Sequence, residues 1–172
     1  MKKPAWTFLL VALFCSPSFA QQPNKVATFA RNALVGRSEE ILAATVEMPA
    51  DKFGFRPSPE EMTFGQLTLH VADGNYIYCS RIGGVSEPQR ATLSDTDPKE
   101  KLVERLKASF DFCTAAFAKL DDSSMSETLI FGPTKTPRSM AILTLSGTWT
   151  DHFSIQTTYL QAVGRIPPTP KK

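Results

Sequence analysis

The sequence predicts an all-α protein, an up-down bundle of four helices. Three observations carry that expectation. Four stretches repeat their apolar residues at helical spacing, the segments between them are rich in Pro, Gly, Ser and Asp, and no stretch shows a convincing strand alternation of apolar and polar residues. Helices that each bury one stripe and are joined by loops pack as a bundle.

The first helix is expected from Lys25 to about Glu47. It holds no Pro and one Gly, and its apolar residues are Val26, Phe29, Ala33, Leu34, Ile41, Leu42 and Val46. A connector follows from Met48 to Met62. Pro49, Pro57 and Pro59 each remove a backbone donor and bias the preceding residue away from helix. Phe53 and Phe55 point to a loop that packs onto the core. Ser58-Pro59-Glu60-Glu61 has a capping pattern with Pro at the first helical position, which predicts a short turn of helix there.

The second helix is expected over residues 63–82. Thr63 and Gln66 stand at capping-box spacing. Phe64, Leu67, Val71, Tyr78 and Ile82 recur at three, four and seven residues and form one apolar face. His70 lies on one flank of that face and Cys79 on the other, at about 100° per residue. This helix therefore offers an imidazole to one neighbour and a thiol to the other.

Gly83 to Pro98 reads as a long loop. The third helix, residues 99–120, carries a narrow stripe of Leu102, Leu106, Ser109, Cys113, Ala116 and Leu120, with Phe110 and Phe117 beside it. Asp95 or Asp97 is placed to cap its start. Residues 121–137 read as a second irregular connector. The fourth helix is expected over 139–163, with Gly147 inside it and Gly164 followed by Pro167-Pro168 as its stop.

The first twenty residues read differently. Lys2 and Lys3 make a basic start, Thr7 to Cys15 is an apolar run, and Ser18-Phe19-Ala20 is a small-x-small site; together they predict a secretory signal peptide over residues 1–20. Residues 21–172 are then one domain. The apolar run is too short to span a bilayer. Without Lys2 and Lys3, 17 basic residues face 17 acidic ones, so nothing steers the chain to nucleic acid or anionic lipid. The expected location is outside the cytoplasm, periplasmic or secreted, with no membrane association after cleavage. A small molecule is the expected kind of partner, and a homodimer is compatible with the sequence. An oxidising compartment permits disulfides. Cys79 and Cys113, the cysteines outside the leader, are expected to pair if the second and third helices are neighbours.

The runs RPSPEEMTFGQLTLHVADGNYIYCSRI and DHFSIQTTYLQAVGRIPP resemble the DinB superfamily. The resemblance implies a four-helix bundle in which one histidine on the second helix and a His-x-x-x-His pair on the fourth hold a divalent metal. It also implies, for some members, metal-dependent transferase chemistry. The C-terminal part matches as His152-Phe153-Ser154, then Tyr159-Leu160-Gln161, Gly164 and Pro167-Pro168. Carried over by position, His70 takes the second-helix ligand place and His152 the last one. The middle place holds Thr148, and a neutral hydroxyl is a poor ligand for a transition metal. The resemblance thus implies a zinc or nickel ion held weakly or not at all. Asp73, one turn after His70, and Gln156, one turn after His152, join Thr148 as weak candidates for a third ligand.

Two functions follow as expectations. One is an exported, divalent-metal-dependent enzyme of transferase or hydrolase type with a degenerate pocket. The other is a non-catalytic helical module that binds a small ligand or a protein in the same place. No catalytic residue is assigned: the sequence holds no nucleophile elbow, no Cys-x-x-Cys, no phosphate-binding Gly loop and no paired His-Glu helix motif.

Overall fold

The computed structural model describes residues 24–169. The expected leader, residues 1–20, lies outside them. Four helices form where the apolar periodicity places them: α1 Lys25–Glu47, α2 Phe64–Gly83, α3 Lys99–Phe117 and α4 Arg138–Ala162. At the start of α2, the backbone N–H of Gln66 donates to the Thr63 hydroxyl while the Gln66 side chain accepts from the Thr63 N–H. Beyond α4, Gly164 takes a left-handed φ of 74°, the conformation that stops a helix and that Gly adopts without strain.

The bundle of four helices forms as expected, with its up-down alternation interrupted once: α1 and α4 run one way, and α2 and α3 both run the other. The parallel run of α2 and α3 is fixed by Asn75 bonding Ser109 and by Cys79 meeting Cys113, four residues further along each helix. The loop between them, 84–98, is therefore a crossover that returns along the length of the bundle and brings Asp95 back to Gly65. Going round the bundle, α2 sits between α3 and α4, as its two flanks required.

Three local expectations are corrected. Residues 121–137 are not irregular throughout: after a 3-10 turn at Asp122–Ser124, β1 Thr128–Phe131 pairs antiparallel with β2 Thr134–Pro137. Gly132, at φ 57°, supplies the positive φ that a tight two-residue turn needs. The hairpin escapes a pattern reading because each strand has four residues, and Ile130 faces outward. Ser58 to Glu61 closes one hydrogen-bonded turn without becoming a helix, and the 3-10 turn of that connector is at Ala50–Lys52. Neither Asp95 nor Asp97 caps α3. Asp95 accepts from the Thr63 hydroxyl at 2.9 Å, and Asp97 accepts from the Ser94 backbone N–H at 2.9 Å.

Other ends are tied by side chains from afar. The Asp122 carboxylate accepts from the N–H groups of Val26 and Ala27, two of the unpaired donors at the start of α1. The ammonium of Lys99 donates to the carbonyls of Val46 and Met48 at its other end. The core takes the predicted stripe of α3, whereas in α1 Leu34 and Ile41 are buried and Phe29 and Val46, expected on its apolar face, are exposed. Leu102, Leu106, Ser109, Cys113, Ala116 and Leu120 are all buried, and Phe53 packs edge-on against Phe64 with centroids 5.3 Å apart.

Candidate functional site

The two faces of α2 are built differently. Towards α3 it is closed. Cys79 and Cys113 form a disulfide with Cα atoms 5.1 Å apart, as expected for adjacent cysteines on neighbouring helices. One turn earlier, Asn75 is almost fully buried. Its amide donates to the Ser109 hydroxyl at 2.9 Å, and its carbonyl accepts from the Trp149 indole N–H at 2.7 Å. One side chain thus links α2, α3 and α4, with both of its polar ends satisfied as a buried amide requires. Sequence reasoning did not single out Asn75. The signal was available, because a polar residue four positions after Val71 falls on a buried face.

Towards α4 the helix stands off, and a cleft of about 170 Å³ remains. From α2 it is lined by His70, Val71, Gly74, Asn75 and Tyr78, and from α4 by Leu145, Thr148, Trp149 and His152. The helices are antiparallel here, so the residues pair by level. His70 meets His152 at one end, with ring centroids 5.2 Å apart and planes at 67°. Tyr78 and Leu145 stand towards the other, about 12 Å away at 1.5 Å of rise per residue. Tyr78 is in turn stacked on Phe131 of the hairpin at 4.9 Å, which fixes that end. At Gly74 a Cβ would meet nothing within 4 Å, so the missing side chain leaves the cleft open at its middle.

The histidine end is polar and only partly wet. His70 is exposed at the mouth, while His152 is half-buried and its Nδ1 is buried without a hydrogen-bond partner. The Thr148 carbonyl, one turn back, favours a proton on that ring without reaching hydrogen-bond geometry. Burial, and next the charge of His70, outweigh this carbonyl and Asp151 and hold His152 below the ordinary imidazole range, so it favours the neutral form.

The expected third ligands part ways. Thr148 is on the same face as His152 and lines the cleft, but its hydroxyl donates to the Thr144 carbonyl at 2.9 Å. Asp73 lies outside the cleft, 4.0 Å from Arg90. Gln156 is fully buried on the side of α4 that meets α1, where its amide donates to the Thr45 hydroxyl. Among the described residues, no group of three His, Cys, Asp or Glu side chains is arranged around a common point. The donor set of the cleft is two imidazoles, one short of the three protein ligands of a catalytic zinc centre. A larger hollow, about 440 Å³, lies beside the crossover. It is lined by charges that already have partners: Arg90 pairs with Glu87 and Asp73, and Arg105 donates to the Ala91 carbonyl. The facing histidines make the smaller cleft the candidate site.

Comparison with known proteins supports the same architecture. A family model described as the DinB superfamily matches residues 33–152. A crystal structure of a DinB-like protein from Bacillus subtilis superposes with a TM-score of 0.70 at 13% identity, covering 84% of this chain and 99% of that one. A DinB-like protein from Bacillus cereus gives 0.68 at 13% identity over 81% of this chain and 94% of its own. A conserved protein from Enterococcus faecalis gives 0.65, also at 13%, over 81% and 98%. At these identities the likeness is one of fold. No curated protein matches the sequence.

Proposed function

The chain belongs to the DinB superfamily, and from that membership we propose that it is an exported bundle whose histidine-ended cleft between α2 and α4 binds a small molecule. The observation that carries this reading is the facing of His70 and His152 across an open cleft, 5.2 Å between ring centroids. Hydrophobic walls with a few convergent polar groups at one end are the make-up of a small-ligand site. The neutral imidazole favoured at His152 serves as a hydrogen-bond acceptor or a base towards whatever enters. Export is supported by the buried disulfide, which persists in oxidising compartments, and by the leader-like start of the sequence. No helix of the described residues is long and apolar enough to cross a membrane.

In this reading a divalent metal is at most weakly held. A resident zinc does not fit the residues as they stand, because a neutral Thr148 hydroxyl is a poor ligand and neither Asp73 nor Gln156 reaches the cleft. A metal-dependent enzyme is the second reading, favoured by the two facing imidazoles, and it needs a third donor beside them.

The chain has two histidines, so each imidazole gives its own NMR signals. Titration with small fragments, charged and neutral, aromatic and aliphatic, is expected to move both sets together for some of them. A set in which no fragment perturbs both rings ends the pocket reading. Zinc decides between the readings. Thr148→His places a third imidazole one turn before His152, and calorimetry is expected to show tight zinc binding by this variant and weak or no binding by the natural protein. Zinc at about 100 times its Kd is then expected to stabilise the variant by about 2.7 kcal/mol. Tight zinc binding by the natural protein instead favours the enzyme reading.

A further inference from the structure

The cleft has a size, a polarity and a direction, and the three together narrow what it takes. Its volume is about 170 Å³. A cavity of roughly 150 Å³ lined by apolar side chains holds one benzene, so there is room for a single six-membered ring with one or two small substituents. Its walls carry no Lys, Arg, Asp or Glu, so a carboxylate or an ammonium entering it finds no charge partner, and an unpaired charge is expensive to bury. The polar groups in its middle are already occupied. Asn75 is bonded at both ends, the Trp149 N–H is given to Asn75, and the Thr148 hydroxyl is given to Thr144. What remains for a ligand is the single Tyr78 hydroxyl towards one end and, opposite it, the histidine end, where two imidazoles converge.

That end asks for one particular group. Two facing imidazoles present ring nitrogens of both kinds, N–H donors and lone-pair acceptors. A carbonyl or an ether can only accept, and an ammonium can only donate. A hydroxyl does both, giving its proton to one ring and accepting from the other. A flat ring suits the remainder, because the slot is walled by Trp149 and Tyr78 and is open where Gly74 lacks a side chain.

We propose, resting on the pocket reading above, that the ligand is an uncharged monocyclic aromatic with one hydroxyl, of the phenol class. The hydroxyl sits between His70 and His152 and the ring lies over Gly74 against Trp149. Gly74 is then a specificity-determining residue, since it leaves the space the ring fills.

The test uses phenol itself, with toluene, benzoate and cyclohexanol beside it. The chain has two tryptophans, Trp6 in the expected leader and Trp149, so in the protein from residue 21 onward indole emission reports the cleft alone. Phenol is expected to change Trp149 emission saturably and to bind about tenfold more tightly than toluene, the difference that about 1.4 kcal/mol of hydrogen bonding makes. Benzoate and cyclohexanol are expected to bind more weakly than phenol. His152→Phe is expected to bring phenol and toluene to equal affinity; should that variant fail to fold, His70→Leu tests the same end from the exposed side. Gly74→Leu fills the slot from a helix position with open space before it, and is expected to abolish phenol binding while helix content is kept. Equal affinities for phenol, toluene and benzoate, or phenol binding undiminished in Gly74→Leu, overturns the proposal. If fragments of another class move both histidine signals and phenols do not, the ligand class is wrong and the pocket reading stands. If nothing moves them, both fall.

Discussion

Three glycines of one helix show how differently the two sides of α2 are used. At Gly65 a Cβ would lie 2.7 Å from the Asp95 carbonyl oxygen, and at Gly83 it would lie 2.7 Å from that of Ala116. Both are backbone atoms that cannot swing away, so on these sides the absence of a side chain permits close approach. At Gly74 the same absence meets open space. The α3 side of the helix is stapled, interlocked and dry, and the α4 side is a slot. The lesson is that a bundle can place rigidity and vacancy on the same helix, with Asn75 between them bonded to both neighbours.

The comparison is broken most severely by removing the staple. The disulfide closes a separation of 34 residues, and in the entropic account a loop of that size is worth about 3–4 kcal/mol. Cys79→Ala with Cys113→Ala is expected to lose about that much in urea unfolding, and reduction of the natural protein is expected to bring its stability close to that of the double variant. Next is the shared amide. Asn75→Ala leaves the buried Trp149 N–H without its acceptor, while the Ser109 hydroxyl keeps its bond to the Leu106 carbonyl; one unsatisfied buried group costs about 1–3 kcal/mol.

Smaller and sharper is the contrast between the glycines. Gly83→Ala forces two backbones apart and is expected to cost about 1–3 kcal/mol. Gly74→Ala, mid-helix with nothing to meet, is expected to stabilise by about 0.5–1 kcal/mol. Thermal unfolding of the two variants beside the natural protein reads both signs. The contrast between the sides fails if the signs agree.

The smallest effect is pH-dependent and belongs to the open side. In the folded chain His152 holds its proton less firmly than in the unfolded chain, first because it is buried and then because of His70. The unfolded state therefore binds more protons, and stability rises with pH across this range. The contribution is full above the ordinary imidazole range near about 6.5. It is lost as pH falls through that range, and levels off once the folded ring is protonated too. Denaturation at a series of pH values is expected to show this slope in the natural protein and a shallower one in His152→Phe.

Much of this was legible in the sequence, and the misses have physical causes. Periodicity located the helices because each buries one stripe, and the histidine and cysteine flanks of α2 were readable from about 100° per residue. Pairing of those flanks with α4 and α3 followed once neighbours were known. The candidate third ligands were harder, because a turn of helix is not a whole number of residues. Asp73 is three residues after His70, about 300° round, which turns it out towards Arg90. Gln156 is four residues after His152, about 40° further round, and on a helix between two neighbours that shift moves it from α2 to α1. The role of Asp95 was invisible for another reason. It depends on a crossover returning to the start of α2, and a loop's path is not written in its composition.

That crossover has a consequence for how the chain survives its surroundings. Residues 84–98 are mostly exposed, the kind of segment where proteases cut. They lie wholly between Cys79 and Cys113. A cut anywhere in the crossover therefore opens a ring without dividing the molecule. The two pieces stay covalently joined, with α2 and α3 still side by side, and separate on a denaturing gel only after reduction. The bond that braces the closed side of α2 also makes this long exposed loop one whose cleavage the protein can outlast.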